Sequence, residues 1–224
     1  MYLEIKNVNK TISKNVILNN INLGMELGKI YGLRGINGSG KTMLMRCICG
    51  LVHPDSGQIQ IAGKQLGKEY DFPESVGALL ETPGFIEHYT AYSNLKELAS
   101  IKQEVDDERI REVLDEVGLD YQNRKRVKKY SLGMRQKLGI AIAFMEKPTL
   151  LVLDEPFNSL DAEGVERTKK LIINSRDNGA LVIISCHDSA ILDELSEEVF
   201  QIENGCIIGH YFPRGEKEGE EDNG

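Results

Sequence analysis

The chain has 224 residues, of which 41% are hydrophobic and 28% are charged, and its formal net charge is -8. This length supports one large domain or one domain with an embedded subdomain, and the composition is that of an ordinary soluble globular protein. The negative charge argues against a general nucleic-acid-binding or membrane-surface protein, because both classes normally need a basic surface.

The apolar runs are too short to cross a bilayer. The longest are residues 138–144, 150–153 and 180–184, whereas a spanning helix needs about 20 apolar residues. The opening residues "MYLEIKNVNK" lack the apolar stretch of a signal peptide. We therefore expect a cytoplasmic chain that reaches a membrane only through a partner.

The cysteines favour a reducing compartment. Cys47, Cys49, Cys186 and Cys206 form neither a CxxC pair nor a compact cluster of metal ligands. We therefore expect small buried side chains rather than metal or redox chemistry.

Short apolar and β-branched runs predict strands along most of the chain. These runs cover residues 2–8, 16–25, 29–35, 58–63, 150–155, 180–186, 198–205 and 206–211. The first runs alternate as in an antiparallel sheet, whereas "LLVL" and "LVII" are continuous and typical of parallel strands buried on both faces.

The middle of the chain is helical in pattern. Apolar residues recur at helical spacing in 106–118 and again from Met134 to Met145. The end is acidic and has no apolar anchors, which predicts a mobile tail. The expected division is a core of residues 1–84 and 146–212, a helical insertion of residues 85–145, and a tail of residues 213–224.

The segment "GINGSGKT", Gly35 to Thr42, fits G-x-x-x-x-G-K-[ST] between a strand and a helical pattern. Glycines let the backbone turn its N–H groups toward phosphate oxygens at the positive end of a helix dipole. Lys41 would reach the β- and γ-phosphates, and the Thr42 hydroxyl would bind Mg²⁺. A chance glycine turn is the alternative, which the flanking strand and helix disfavour. The predicted nucleotide-binding residues here are Gly35, Asn37, Gly38, Ser39, Gly40, Lys41, Thr42 and Met43.

Two carboxylates follow the apolar run in "LLVLDEP", residues 150–156. A buried parallel strand that ends in Asp154 delivers this side chain to the carboxyl edge of the sheet, where ligands bind. Asp154 would hold Mg²⁺ mainly through water, and Glu155 would polarise a water molecule for in-line attack on the γ-phosphate. Alone, the pair would be read as a solvated strand end. Together with the phosphate loop it predicts a catalytic site.

His187 follows the next apolar strand, within "SCHD". A single histidine is usually structural or exposed. Because the predicted parallel strand brings it to the same sheet edge, we expect it to contact the γ-phosphate.

These motifs, with "NSLD" after Glu155 and "SLGMRQ" shortly before Asp154, resemble the ATP-binding subunits of ABC transporters from about residue 2 to 211. "SLGMRQ" is similar to the signature sequence of that family, "LSGGQ" in its commonest form. Ser131 and Gly133 match it, whereas Leu132 and the pair Met134-Arg135 depart from it.

The resemblance implies an α/β fold, with a P-loop NTPase core of mostly parallel sheet, an antiparallel β subdomain and an inserted α-helical subdomain. It implies ATP hydrolysis with Mg²⁺, and a head-to-tail pair of two copies in which the signature of one copy faces the ATP of the other. Ser131 is a good N-cap for the following helix, whose free N–H groups and positive dipole end would form such an anion site. Asp161 of "NSLD" would lie at the dimer seam, or cap the following helix, or do both. A transmembrane permease would be the partner, with the chain on the inner face of the cell membrane.

Two departures narrow the resemblance. Glu81 stands where most members carry glutamine, so a carboxylate would contact Mg²⁺ and add a third negative group beside Asp154 and Glu155. Ile12, or Thr11, stands where most members stack adenine on an aromatic ring, which predicts poor discrimination of ATP from GTP. The glutamate and the form "YSLGMRQKLGIA" resemble the subgroup that exports bacitracin-type and lantibiotic peptides.

Other functions stay open at this point. A chromosome-associated ATPase would carry a longer insertion, a small-molecule kinase would need neither the signature nor Glu155, and a regulatory nucleotide-binding protein would not need Glu155. The basic run "RKRVKK", residues 124–129, favours a solvated loop face, with contact to a partner chain or anionic headgroups as the alternative.

Overall fold

The computed structural model describes residues 1–81, 84–213 and 215, and its strands form two sheets. The strands are β1 (Leu3–Ile12), β2 (Asn15–Met25), β3 (Ile30–Arg34), β4 (Ser56–Ile61), β5 (Lys64–Gln65), β6 (Val76–Leu79), β7 (Leu150–Asp154), β8 (Leu181–Ser185), β9 (Glu198–Glu203) and β10 (Cys206–Tyr211). The helices are α1 (Lys41–Ile48), α2 (Ala91–Lys102), α3 (Asp107–Glu116), α4 (Leu132–Phe144), α5 (Ala162–Asp177) and α6 (Ser189–Leu195). A 3-10 turn, Val127–Lys129, precedes α4.

The larger sheet has the strand order β10-β9-β3-β8-β7-β6. Neighbours from β9 to β6 pair in parallel, and β10 joins the edge antiparallel to β9. The continuous apolar runs of β7 and β8 are buried on both faces, as their sequences predict. Parallel pairing carries the ends of β7 and β8 to one edge, with Asp154 opposite Ser185.

The smaller sheet is antiparallel and has the order β2-β1-β4-β5. Alternate residues of its strands, such as Leu3 and Ile5, are buried because successive side chains point to opposite faces. They share one core cluster with α1 and with one face of the larger sheet. This packing holds α1, and the loop before it, between the two sheets.

The second core cluster joins the other face of the larger sheet to helices α2 to α6. Helices α2, α3 and α4 lie between β6 and β7 in the chain, where a helical insertion is predicted. In α3, Ile110, Val113 and Leu114 are buried at helical spacing, while the charged residues between them stay in solvent. The predicted fold class, an α/β core with an antiparallel β subdomain and inserted helices, is confirmed.

The structure corrects one part of the prediction. No strand is predicted between residues 63 and 150, yet Val76–Leu79 forms β6 at the edge of the larger sheet. The sequence signal is weak because the strand is short and contains Gly77. A Cβ at that glycine would lie 2.0 Å from the carbonyl oxygen of Ala143, so the strand can run beside α4 only without a side chain there.

Among residues 1–81, 84–213 and 215, no helix is long and apolar enough to span a membrane. The predicted acidic tail, residues 213–224, lies mostly outside the described residues. The boundaries proposed for the core and the helical insertion stay a prediction.

Candidate functional site

The loop from Gly35 to Thr42 is shaped by its glycines. Gly40 has a φ of 111°, in the left-handed region that favours glycine, and a Cβ there would lie 2.9 Å from the carbonyl oxygen of Ile17. A Cβ at Gly35 would lie 2.3 Å from the carbonyl oxygen of Ile202. The backbone therefore needs glycine at both positions to pass β2 and β9.

The start of α1 keeps unused backbone donors. Among the hydrogen bonds of the described residues, none uses the N–H groups of Gly40, Lys41 or Thr42. The Ser39 N–H, also predicted to point at phosphate, donates to the carbonyl oxygen of Ile36 at 3.2 Å. Three adjacent donors at the positive end of a helix form a site for an anion.

Lys41 adds a positive charge to this site. Its side chain is buried, and its Nζ donates to the carbonyl oxygen of Gly35 at 2.7 Å and to that of Ile36 at 3.1 Å. The ammonium group therefore lies over the loop, where phosphate oxygens would replace or supplement the carbonyls.

Asp154 is held by two hydroxyl groups. Thr42 Oγ1 donates to Asp154 Oδ2 at 2.5 Å, and Ser185 Oγ donates to Asp154 Oδ1 at 2.5 Å. Hydroxyl and carboxylate oxygens are the ligands that Mg²⁺ prefers, so Thr42 and Asp154 fit this ion. In the part of the chain that the structure describes, no group of three or more His, Cys, Asp or Glu side chains could hold a metal alone. Water and phosphate would complete the coordination.

Glu155 lies beside Asp154 in an unusual environment. Its φ is 52°, and its N–H donates to the carbonyl oxygen of Ser185 at 3.2 Å. The side chain is 18% exposed, and Oε1 is buried without a hydrogen-bond partner among the described residues. Burial raises the pKa of Glu155, partly opposed by the hydrogen bond from His187 N–H. A buried carboxylate with a raised pKa is a stronger base, as a water-activating group requires.

His187 meets Glu155 at the same edge. Its N–H donates to Glu155 Oε2 at 3.1 Å, and its ring Nε2 lies 3.5 Å from Glu155 Oε1. The ring distance is too long for a good hydrogen bond, so that contact is electrostatic at most. The imidazole is 55% exposed and faces the open cleft.

Most of the predicted nucleotide and metal residues line one cavity of about 320 Å³. Its lining includes Asn37, Gly38, Ser39, Gly40, Lys41, Thr42, Met43, Glu81, Asp154, Glu155 and His187, together with Ile17 and Arg46. Sequence reasoning thus identified a set of residues that the fold brings together from four segments.

The signature residues lie at a different cleft. Ser131 caps α4, its Oγ accepting the N–H of Met134 at 3.2 Å, as the sequence predicts. A Cβ at Gly133 would lie 2.6 Å from the carbonyl oxygen of Ser159, so the glycine lets α4 pack against the loop after β7. Ser131, Gly133 and Asp161 line this cleft, which is separate from the phosphate-loop cavity.

Asp161 is the N-cap of α5. Its side chain accepts the N–H of Gly164 at 3.0 Å and lies 3.1 Å from Lys137 Nζ of α4. These two contacts lower the pKa of Asp161, with the Lys137 hydrogen bond the larger cause. The capping role is therefore present, and a role at a dimer seam stays a prediction.

Glu81 is not an uncompensated third negative charge. Its Oε2 lies 2.8 Å from Arg46 Nη2 on α1, one helical turn after Thr42. Arg46 therefore balances the carboxylate that replaces the usual glutamine. A direct contact of Glu81 with Mg²⁺ stays a prediction.

Ile12 ends β1 on the hairpin beside the phosphate loop and is 43% exposed. Two aromatic residues near the start of the chain lie elsewhere. Tyr31 is buried and its hydroxyl accepts the Glu26 N–H, and Tyr2 hydrogen-bonds with Met25 and Ala62 at the opposite end of β1. Neither of these two rings nor Ile12 is among the residues that line the phosphate-loop cavity. An apolar contact of Ile12 to the base stays a prediction.

A sequence model of the family described as "ABC transporter" matches residues 18–158, more than half of the chain. The chain belongs to the ABC transporter family. This ABC protein is an ATP-binding subunit and an ATPase, as the order of its motifs predicts.

Relatives of the ABC protein extend over nearly its whole length. It is 41% identical to an uncharacterised ABC transporter ATP-binding protein, YybJ of Bacillus subtilis, over 92% of this chain and 94% of that protein. It is 36% identical to the bacitracin transport ATP-binding protein BcrA of Enterococcus faecalis (92% and 68% covered) and 36% identical to the lantibiotic transport ATP-binding protein SrtF of Streptococcus pyogenes (92% and 89%).

Solved structures share the fold of the ABC protein. An ATP-binding subunit of an ABC transporter superposes with a TM-score of 0.86 at 26% identity, covering 95% of this chain and 90% of that chain. The dimeric post-hydrolysis structure of the cassette MJ0796, bound to ADP and Pi, gives a TM-score of 0.85 at 22% identity, covering 95% and 99%. At the latter identity the likeness shows the fold alone.

Sequence reasoning missed several residues that hold the site of the ABC protein. Ser185 positions Asp154, Arg46 pairs with Glu81, and Gln136 Nε2 donates to the carbonyl oxygens of Glu155 and Pro156 at 3.1 and 3.0 Å. The register of two adjacent parallel strands could have indicated Ser185. The other contacts join distant segments and leave no local signal.

Proposed function

We infer that this chain works as a homodimer that closes head to tail around two ATP molecules and drives a separate membrane permease. The inferred cargo is a peptide antibiotic or a similar amphipathic compound, moved out of the cell. The observation that carries the inference is that one chain presents two anion-directed helix starts, α1 and α4, at separate clefts.

The first helix start suffices to hold one triphosphate. The unused N–H groups of Gly40, Lys41 and Thr42 would bind phosphate oxygens, and the Lys41 ammonium would balance their charge. Thr42 and Asp154 would hold Mg²⁺, which when bound offsets the charge that develops on the transferred phosphoryl group.

The second helix start lies at a different cleft from the phosphate loop of its own chain. The Ser131 cap satisfies the Met134 N–H, and the dipole of α4 is positive at this end. A second copy related by two-fold symmetry would bring its bound nucleotide to this cleft, and the same contact would form twice. Binding energy across the shared phosphates would shift the two chains from open to closed.

Within the closed pair, Glu155 is the inferred general base. Its pKa is raised, and its buried Oε1 has no hydrogen-bond partner among the described residues, which together give it a proton affinity that a solvated carboxylate lacks. His187, with its exposed ring beside Glu155, would contact the γ-phosphate. Asp161 and the signature residues Ser131 and Gly133 would lie at the seam between the chains.

The cargo class is inferred from the relatives and from one sequence feature. BcrA and SrtF are named for bacitracin and lantibiotic transport, and Glu81 replaces glutamine in the loop after β6. The permease would bind near residues 85–95, which include the first turn of α2. Cargo specificity would reside in the permease, because the ATP-binding subunit supplies only the energy-converting step.

ATP hydrolysis and ATP-dependent dimerisation are tested with the purified chain and its Glu155→Gln variant, each with ATP and Mg²⁺. The variant should lose turnover by about 100-fold or more, as removal of a general base does, and accumulate as an ATP-dependent dimer. Turnover would be measured as released phosphate, and the dimer by analytical ultracentrifugation. A variant that stays monomeric with full turnover contradicts both the role of Glu155 as general base and the ATP-dependent dimer.

The cargo is tested separately by deleting the gene in its native host. We expect the deletion strain to become more sensitive to at least one bacitracin-type or lantibiotic peptide, with restored resistance when the gene is supplied again. A strain whose sensitivity to the whole panel is unchanged contradicts the cargo assignment, and directs attention to an ABC ATPase that acts on nucleic acid or as a regulator.

A further inference from the structure

The first turn of α4 carries an arginine that is held by a distant glutamate. Arg135 Nη1 lies 2.8 Å from Glu87 Oε1, and Arg135 Nη2 lies 2.8 Å from Glu87 Oε2. Two parallel bonds of this kind fix the orientation of both planar groups, which a single lysine–carboxylate contact does not. The pair joins the signature helix to the loop before α2.

This arginine lies where a helix disfavours positive charge. Arg135 is one turn after the Ser131 cap, its N–H donating to the Ser131 carbonyl oxygen at 3.0 Å, and the first turn of α4 has no acidic residue of its own. The positive end of the helix dipole therefore repels the guanidinium. Glu87 supplies from another segment the negative charge that the first turn lacks.

Backbone hydrogen bonds hold the segment that contains Glu87 in place, independently of the contact with Arg135. The Glu87 carbonyl oxygen accepts the Lys128 N–H at 2.9 Å, and the Tyr89 carbonyl oxygen accepts the Val127 N–H at 2.9 Å. Val127 is fully buried, so the turn that makes these bonds is anchored in the core. Glu87 is thus fixed relative to the chain just before Ser131.

We propose that Glu87 is a positioning residue that, through Arg135, sets the direction of the signature helix toward the nucleotide of a second copy. This inference rests on the proposed function. The two Arg135–Glu87 bonds restrain the first turn of α4 at a second point, in addition to the contact of Gly133 with Ser159. Loss of either partner lets the helix start tilt, so that its N–H groups no longer point at the phosphate.

A direct role for Arg135 predicts a different pattern. If the guanidinium itself bound the phosphate of the second copy, removal of Glu87 would release it and strengthen the dimer. The positioning role predicts that Glu87→Gln and Arg135→Gln weaken the dimer equally, and that the double variant is no worse than either single one, because one contact is lost in all three.

The test uses the full chain in the Glu155→Gln background, with ATP and Mg²⁺, and measures the dimer dissociation constant by analytical ultracentrifugation. Each of the three variants should raise this constant about fivefold, within the range of coupled pairs. The affinity of the monomer for ATP, measured by titration calorimetry at a concentration below dimerisation, should not change. Arg135→Lys, which keeps the charge and loses the fork, should recover only part of the loss.

A matched ion pair provides the control. Lys102 at the end of α2 lies 2.6 Å from Glu146, just after the other end of α4. Lys102→Gln should leave the dimer unchanged; an equal loss would mean that any weakening of the helical region suffices, and would overturn the positioning role. A stronger dimer in Glu87→Gln, or an unchanged one in Arg135→Gln, would also overturn it. A parent that never dimerises with ATP overturns the proposed function and this inference with it.

Discussion

The two helix starts that we propose to bind phosphate, α1 and α4, are built in different ways. At α1 the N-cap is a glycine with a φ of 111°, no side chain caps the helix, and α1 packs in the core between the two sheets. At α4 a serine side chain caps the helix, and Gly133 and Arg135 contact loops distant in sequence. The site at α1 is formed by backbone groups of a helix that is packed in the core. The site at α4 is held in place by side-chain contacts between segments that are distant in sequence. The second should therefore be the easier to displace.

The largest expected effect is at the α1 site. Lys41→Ala removes the ammonium group from the phosphate loop, and we expect ATP affinity to fall roughly 10- to 150-fold, the value of a charge-assisted hydrogen bond. Titration calorimetry with ATP measures it. Lys64→Ala, an exposed lysine on β5, should leave the affinity unchanged. Near-equal affinity of the Lys41 variant would show that backbone donors alone hold the phosphates.

At the α4 site, Gly133→Ala should cost about 1–3 kcal/mol of unfolding free energy, because the new Cβ lies 2.6 Å from a carbonyl oxygen and overpacks the contact with Ser159. Denaturant unfolding measures this cost. Gly84→Ala is the control, since a Cβ there meets nothing within 4 Å. Equal stability of the two variants would mean that α4 shifts freely, and the contrast between the two sites would sharpen.

A smaller effect concerns pH. Burial raises the pKa of Glu155, so the folded chain binds this proton more tightly than the unfolded chain, and the stability contributed by the protonated group is lost as pH rises through the folded-state pKa. Glu155→Gln should therefore stabilise the nucleotide-free chain at pH 7 by about 1 kcal/mol, comparable to relieving a poorly satisfied buried group. The gain should disappear below the ordinary pKa of a glutamate. Thermal unfolding from pH 4 to pH 8 tests it, and a gain independent of pH would contradict the burial argument.

The smallest expected effect concerns the contact of Ile12 with the adenine ring of ATP. Ile12→Tyr should raise ATP affinity about 2- to 10-fold, because an aromatic ring would stack on adenine where the native residue offers only apolar contact. The native chain should bind ATP and GTP with similar affinity. Leu27→Tyr, at an equally exposed position of 44% near the far end of the hairpin, should change neither. A native chain with a large ATP preference would show that another residue reads the base.

The sequence by itself determined the elements whose signals are local. Glycine spacing before a helical pattern predicted the phosphate loop, continuous apolar runs predicted the parallel strands β7 and β8, and their ends predicted that Asp154, Glu155 and His187 would meet at one edge. Ser131 was recognisable as an N-cap because capping depends on adjacent residues only. These features follow from backbone sterics and hydrophobic periodicity, which act over a few residues.

Only the tertiary structure decided which distant side chains pair. Arg46 pairs with Glu81, Arg135 donates to Glu87, and Ser185 donates to Asp154. In each case the two partners are dozens of residues apart in the sequence. The short strand β6 likewise depends on packing against β7 and α4 rather than on its own pattern. Such contacts depend on where separate elements come together in three dimensions. The sequence around a polar side chain therefore does not reveal which distant residue will pair with it.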